Sequence, residues 1–309
     1  MPELVEVASG LSFPEGPIAM ADGSVILVEM FGPRLTRVQP DGSTATIAEI
    51  PGGPNGAALG PDGTIFLCNN GGRFTPIDLG GMVIPGPVTM SNYIGGRIQT
   101  VDIETGAVAD LYTECDGHPL VAPNDIVFDE HGGFYFTDHG LSDEGQRVTH
   151  MTGILYAAAD GSAIREVVFP ANEPNGIGLS PDGRKLYWAE TWTGRVMQRD
   201  VLAPGEVSEA MLGDPSVCLY GFPGMQLLDS LAIDSDGNVC VATMGSGGVS
   251  VVSPTGELID FVETGDLLTT NICFGGDDLR TAYITASSTG RLLKTEWPRP
   301  GAKLQYLNP

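Results

Sequence analysis

Residues 174–196 read PNGIGLSPDGRKLYWAETWTGRV. A short apolar stretch leads into Pro181-Asp182-Gly183, a second stretch (KLYWAET) follows, and Gly194-Arg195 opens a third. Asp-Gly suits a tight hairpin because Gly accepts positive φ without steric cost. The segment therefore reads as three short consecutive strands, and Gly and Pro leave no room for a helix.

The same unit recurs along the chain. Its turn appears as Ala21-Asp22-Gly23, Pro61-Asp62-Gly63, Glu130-His131-Gly132 and Ser235-Asp236-Gly237, with a degenerate sixth copy at Gly275-Gly276-Asp277-Asp278. After each turn comes an apolar stretch: SVILVEM, TIFLCNN, GFYFTDH, KLYWAET, NVCVATM and TAYITAS. A third stretch and a variable fourth complete each unit. Four short strands repeated six times predict an all-β, six-bladed β-propeller with four antiparallel strands per blade. The second strands are apolar on both faces, as expected of strands lying between neighbouring blades. The predicted ring is closed by an N-terminal strand at residues 4–8, with the C-terminal KLQYL as the alternative closing strand. Residues 1–309 are expected to form one domain.

Eight residues before each clear turn Gly stands a polar residue: Glu15, Asn55, Asn124, Asn175 and Asp229. Asn271 is the counterpart in the sixth unit, and Pro precedes the first four. The first strand of a propeller blade lines the central channel, so these six side chains are expected in one ring at one mouth. Buried together without a cation they would be poorly satisfied. Carboxylate and amide oxygens favour Ca²⁺, Mg²⁺ or Mn²⁺ over a thiolate-type zinc site. Glu15 and Asp229 are the only charges of the six, and a dication would balance them.

Insertions at residues 71–95 and 139–152 are expected to overhang this mouth, where loops build substrate pockets. The first brings Phe74 and Tyr93, and the second begins at His139, the one histidine expected near the ring.

The remaining features narrow the function. With 39 acidic against 15 basic residues the net charge is −24, which repels nucleic acid and anionic membranes. No apolar run is long enough to span a bilayer, and the N-terminal sequence lacks a signal-peptide pattern. The five cysteines lack CxxC spacing and read as reduced thiols, so a cytoplasmic protein is expected. No G-x-S-x-G nucleophile elbow, Walker loop or dinucleotide fingerprint occurs.

Glu15-Gly16-Pro17, Pro123-Asn124-Asp125, Pro174-Asn175-Gly176 and the Asp229 strand resemble the senescence marker protein, gluconolactonase and luciferin-regenerating-enzyme family over nearly the whole chain. The resemblance implies a six-bladed propeller with one divalent metal in its channel. It implies ligands at Glu15, Asn175 and Asp229, with Asn124 as a further ligand or substrate contact. The implied metal is Ca²⁺ first, with Zn²⁺, Mn²⁺ or Mg²⁺ as alternatives. The implied activity is hydrolysis of a small-molecule lactone. Asp229 is the candidate general base, and Asn124, Asn55, Asn271, His139, Phe74 and Tyr93 are expected around the substrate. A related squid-type diisopropylfluorophosphatase carries a second, structural Ca²⁺ at an Asp and a His, where this sequence has Ala232 and Cys273. Animal gluconolactonases carry an Arg where this sequence has Ala122. Two other functions compete: phosphotriester hydrolysis at the same ring, and a non-enzymatic propeller scaffold.

Overall fold

The computed structural model describes residues 3–143, 147–211 and 213–308. Residues 144–146 of the second insertion lie outside the described residues.

Six antiparallel sheets form the blades, as the repeat predicts. Their inner strands are Pro14–Ala19, Pro54–Leu59, Pro123–Phe128, Pro174–Leu179, Leu227–Ile233 and Thr269–Gly275. Each packs against the inner strand of the next blade, and the sixth returns to the first, so the ring is closed. Four of the inner strands start with Pro, where a missing N–H costs no ladder bond. Blade 4 departs slightly, because Glu206–Val207 and Cys218–Gly221 both pair with its third strand, Arg195–Ala203.

The second strands show why their sequences are apolar throughout. In Val25–Glu29 all residues are buried. Val25 and Leu27 pack with Leu292 and Tyr283 of blade 6, whereas Ile26 and Val28 pack with Ile65 and Leu67 of blade 2. Ile65 and Leu67 complete that cluster, and Phe66 and Cys68 point into the next, with Phe134 and Phe136 of blade 3. One strand thus feeds two inter-blade cores by the period-2 alternation of its side chains.

All six inner strands carry one extra residue at the same level. Glu15 pairs with Val28 but Ile18 with Ile26, and equivalent shifts follow Pro54, Pro123, Pro174, Leu228 and Thr269. A bulge at this point re-aims the side chains beside it. It also brings neighbouring backbones together. A Cβ on Gly56 would stand 2.4 Å from the Asn124 carbonyl, and one on Gly176 2.5 Å from the Leu231 nitrogen. Gly after the ring residue is thus a packing requirement in these blades.

Closure uses the N-terminal strand, Val5–Ala8, which pairs with Arg291–Glu296. KLQYL is therefore not a closing strand, because that edge is already taken. The C-terminal segment instead crosses the face opposite the ring residues. Gly301 bridges to Asp234, Ala302 donates its N–H to the Ile233 carbonyl, Tyr306 stacks edge-on against Phe128 at 5.1 Å, and Leu307 joins the core around Ile18. The two insertions form small hairpins, Thr75–Asp78 with Val83–Gly86 and Leu141–Asp143 with Val148–His150. Among the described residues no helix is long and apolar enough to cross a membrane.

Gly56→Ala should lower unfolding stability by about 2–3 kcal/mol, since the added methyl meets rigid backbone. Chemical denaturation would measure this, and an unchanged midpoint would contradict the close-approach account.

Candidate metal centre

All six predicted ring residues lie on the inner strands, close to the bulges. Glu15, Asn55, Asn124, Asn175, Asp229 and Asn271 are each between 2% and 9% exposed. Hydrogen bonds anchor some of them, across blades for Asn271 and Glu15 and within blade 4 for Asn175. The Asn271 Nδ2 donates to Glu15 Oε2 at 3.3 Å, joining residues 256 apart in sequence. Asn175 Nδ2 donates to Thr191 Oγ1 at 3.1 Å. Among the described residues, the Oδ1 atoms of Asn124 and Asn175 are buried without a hydrogen-bond partner.

The electrostatics are unfavourable for two ionised groups. Burial pushes the Glu15 carboxyl up to about 7, against opposing hydrogen bonds from Thr270 and Asn271. Asp229 is pushed well above the usual carboxylate range by burial and then by the charge of Glu15, with the Asn175 amide opposing. A third carboxyl, Asp125, is raised to about 7 by burial and adds its field to both. Bringing like charges out of water favours their protonated forms unless a cation joins them. Two partnerless amide oxygens and two strained carboxylates are the donor set that a hard divalent cation satisfies. Among the described residues no group of three or more His, Cys, Asp or Glu could hold a metal ion. Such a centre would thus depend on amide oxygens.

A second layer lies above the Asn124 and Asn175 side of the ring. The His139 N–H donates to the Ala122 carbonyl at 2.9 Å, and His139 Nε2 stands 3.2 Å from Glu173 Oε2. Trp192 Nε1 donates to the same oxygen at 2.6 Å, and Arg73 Nη2 lies 3.8 Å from it. Burial alone would raise the Glu173 carboxyl, but His139, Arg73 and Trp192 outweigh it and hold it below its usual range. Phe74 lies between Arg73 and His139, 4.6 Å from the guanidinium carbon and 5.9 Å from the imidazole. Tyr93 reaches in from the end of the first insertion, and its hydroxyl donates to the Val121 carbonyl at 2.6 Å.

Polar residues ending the second strands have a different job. Asp138 accepts the N–H groups of Val121, Ala122 and Gly140. Glu29 accepts from Ser12 N, Arg34 and Thr36, and Asn69 from Gly53 and Gly71. They latch the chain entering the inner strands of blades 1, 2 and 3. A cavity of about 650 Å³ lies on the far side of the ring. Asp125 and Asn271 line it, with Ala232, Cys273 and residues 302–305 of the C-terminal segment.

Sequence reasoning missed Asp125, Arg73 and Glu173. Asp125 had a readable signal, since it replaces the Gly that follows the ring residue in blades 1, 2 and 4. Arg73 is the only basic residue between positions 71 and 95. Glu173 has no sequence signal beyond lying two residues before Asn175.

A closed six-bladed propeller with buried carboxylates and amides on its inner strands defines the class. The chain belongs to the SMP-30/gluconolactonase/LRE-like family, whose characteristic region matches residues 13–288. It is similar to lactonase drp35 of Staphylococcus saprophyticus, 31% identical over 251 residues covering 79% of this chain and 69% of the relative. The corresponding Staphylococcus epidermidis protein is 29% identical over 237 residues, 76% of this chain and 64% of the relative, just under two thirds of its length. In fold it is similar to a gluconolactonase of Xanthomonas campestris, with TM-score 0.75 and 20% identity over 96% of this chain and 90% of that one. It is also similar to regucalcin of Agrobacterium tumefaciens, described as a calcium-binding protein, with TM-score 0.71 and 18% identity over 95% of each chain.

The raised Glu15 carboxyl has a measurable consequence. Its folded-state value is above its unfolded value, so its contribution to stability is full below about pH 4.5 and is lost as pH rises through about 7. Chelator-treated protein should lose roughly 3 kcal/mol of stability over that window. A divalent cation should restore it at pH 8. Denaturation curves at pH 5 and pH 8 test this, and a chelated protein that is more stable at pH 8 would contradict it.

Proposed function

We propose that the chain is a metal-dependent lactonase that opens a small cyclic ester in the cytoplasm. The observation that carries this is the meeting of the Glu15 and Asp229 carboxyls with two partnerless amide oxygens on one buried axis. The family and the lactonase relatives support the reaction class. Five free thiols support the cytoplasmic location.

Glu15, Asn124, Asn175 and Asp229 would hold the cation, Ca²⁺ first and Zn²⁺, Mn²⁺ or Mg²⁺ as alternatives. The cation would supply Lewis-acid polarisation of the lactone carbonyl. The protein's own residues do the rest. Asp229 takes the proton from a water as its oxygen attacks the carbonyl carbon, and returns it to the ring oxygen as the C–O bond breaks. The single product is a hydroxy acid, whose carboxyl then releases its remaining proton to solvent. Asn124 orients the substrate through its side-chain N–H. Asn271 fixes Glu15 by its hydrogen bond, and Asn55 fills the ring between blades 1 and 3. Phe74, Tyr93 and His139 wall the mouth and limit access of bulk water.

Asp229→Asn should lower kcat for lactone hydrolysis by about 100-fold or more, while the far-ultraviolet circular dichroism stays that of the parent. Initial rates on a sugar lactone, an aliphatic lactone and a fluorophosphate, with added Ca²⁺, provide the measurement. Near-parent rates would remove Asp229 from the mechanism, and turnover of the fluorophosphate alone would replace the lactone as substrate.

A further inference from the structure

Among the described residues, the Arg73 side chain has no hydrogen-bonded partner. Its residue is 7% exposed, and its Nε is fully buried with nothing to donate to. Among the described residues, the nearest carboxylate oxygen, on Glu173, is 3.8 Å away, beyond hydrogen-bond reach. That oxygen already accepts from Trp192 and lies beside His139 Nε2. Burial lowers the proton affinity of the guanidinium, and Glu173 only partly offsets this. Yet the side chain is held in place. Asn70 Oδ1 accepts the N–H groups of Gly72 and Arg73 at 3.0 Å each, and the guanidinium lies 4.6 Å over the Phe74 ring.

Leaving a buried guanidinium donor unpaired is costly. A second nitrogen in the same layer, His139 Nδ1, is also buried and, among the described residues, without a partner. The planar fork of an arginine matches a carboxylate with two parallel hydrogen bonds. We propose that Arg73 receives a carboxylate carried by the substrate, so that the preferred substrate is an acidic lactone bearing a carboxylate beside the cyclic ester. Its ring-opened product is then a hydroxydicarboxylate. The lactone part of this assignment rests on the lactonase function proposed for the ring, whereas the carboxylate part rests on Arg73 alone.

The test compares a γ-lactone carrying one ring carboxylate with its methyl ester. The parent protein should show a kcat/KM ratio favouring the acid by about 10-fold or more. Arg73→Gln should collapse that ratio, mainly through KM, and Arg73→Lys should restore part of it. Binding of the hydroxydicarboxylate, followed by calorimetry, should weaken by the same factor in Arg73→Gln. A parent protein that prefers the ester, or a ratio and an affinity untouched by Arg73→Gln, overturns the proposal. Arg73-dependent binding without hydrolysis of either lactone would instead overturn the lactonase function and leave the carboxylate site standing. Hydrolysis of the ester without any binding of the hydroxydicarboxylate would do the reverse.

Discussion

The burial of neighbouring carboxylates, to which their mutual repulsion adds, is the constraint on which this molecule turns. Glu15 and Asp229 come from blades far apart in sequence, yet each lies in the other's field, with Asp125 close behind. A propeller can impose this because each inner strand is gripped by two inter-blade cores. The apolar stretches that fill those cores hold the like charges together. The unfavourable electrostatics are therefore maintained by packing, and a cation is the natural relief.

The latches around the ring explain how that geometry is kept. Asp138, Glu29 and Asn69 each bind backbone N–H groups of the segment entering an inner strand. They are polar and near the mouth, which makes them look like chemistry in the sequence. Their hydrogen bonds are spent on backbone, so the chemically available oxygens are those one layer deeper. On the other face, the C-terminal segment lies across the channel and packs Tyr306 and Leu307 into the lower rims of blades 1 and 3.

Much of this was legible in the sequence because the blades share one length rule. The turn Gly stands eight residues after the ring residue, and every inner strand carries the same one-residue bulge. Spacing along the chain therefore translates into height along the axis, and Glu15, Asn124, Asn175 and Asp229 could be aligned without a structure. KLQYL was open because its apolar pattern suits either a strand or a rim-packing segment, and pairing with Val5–Ala8 decides between them. Arg73 and Glu173 were not legible. Their meeting depends on the path of an irregular insertion, set by contacts such as Gly96 N–H to the Leu120 carbonyl, which no local pattern encodes.

The most direct test of the central claim is anomalous diffraction from crystals soaked in Ca²⁺. The account predicts one ion on the propeller axis, with oxygens of Glu15, Asn175 and Asp229 within about 2.6 Å of it. An ion bound elsewhere, with these three side chains too far apart to share it, would contradict it.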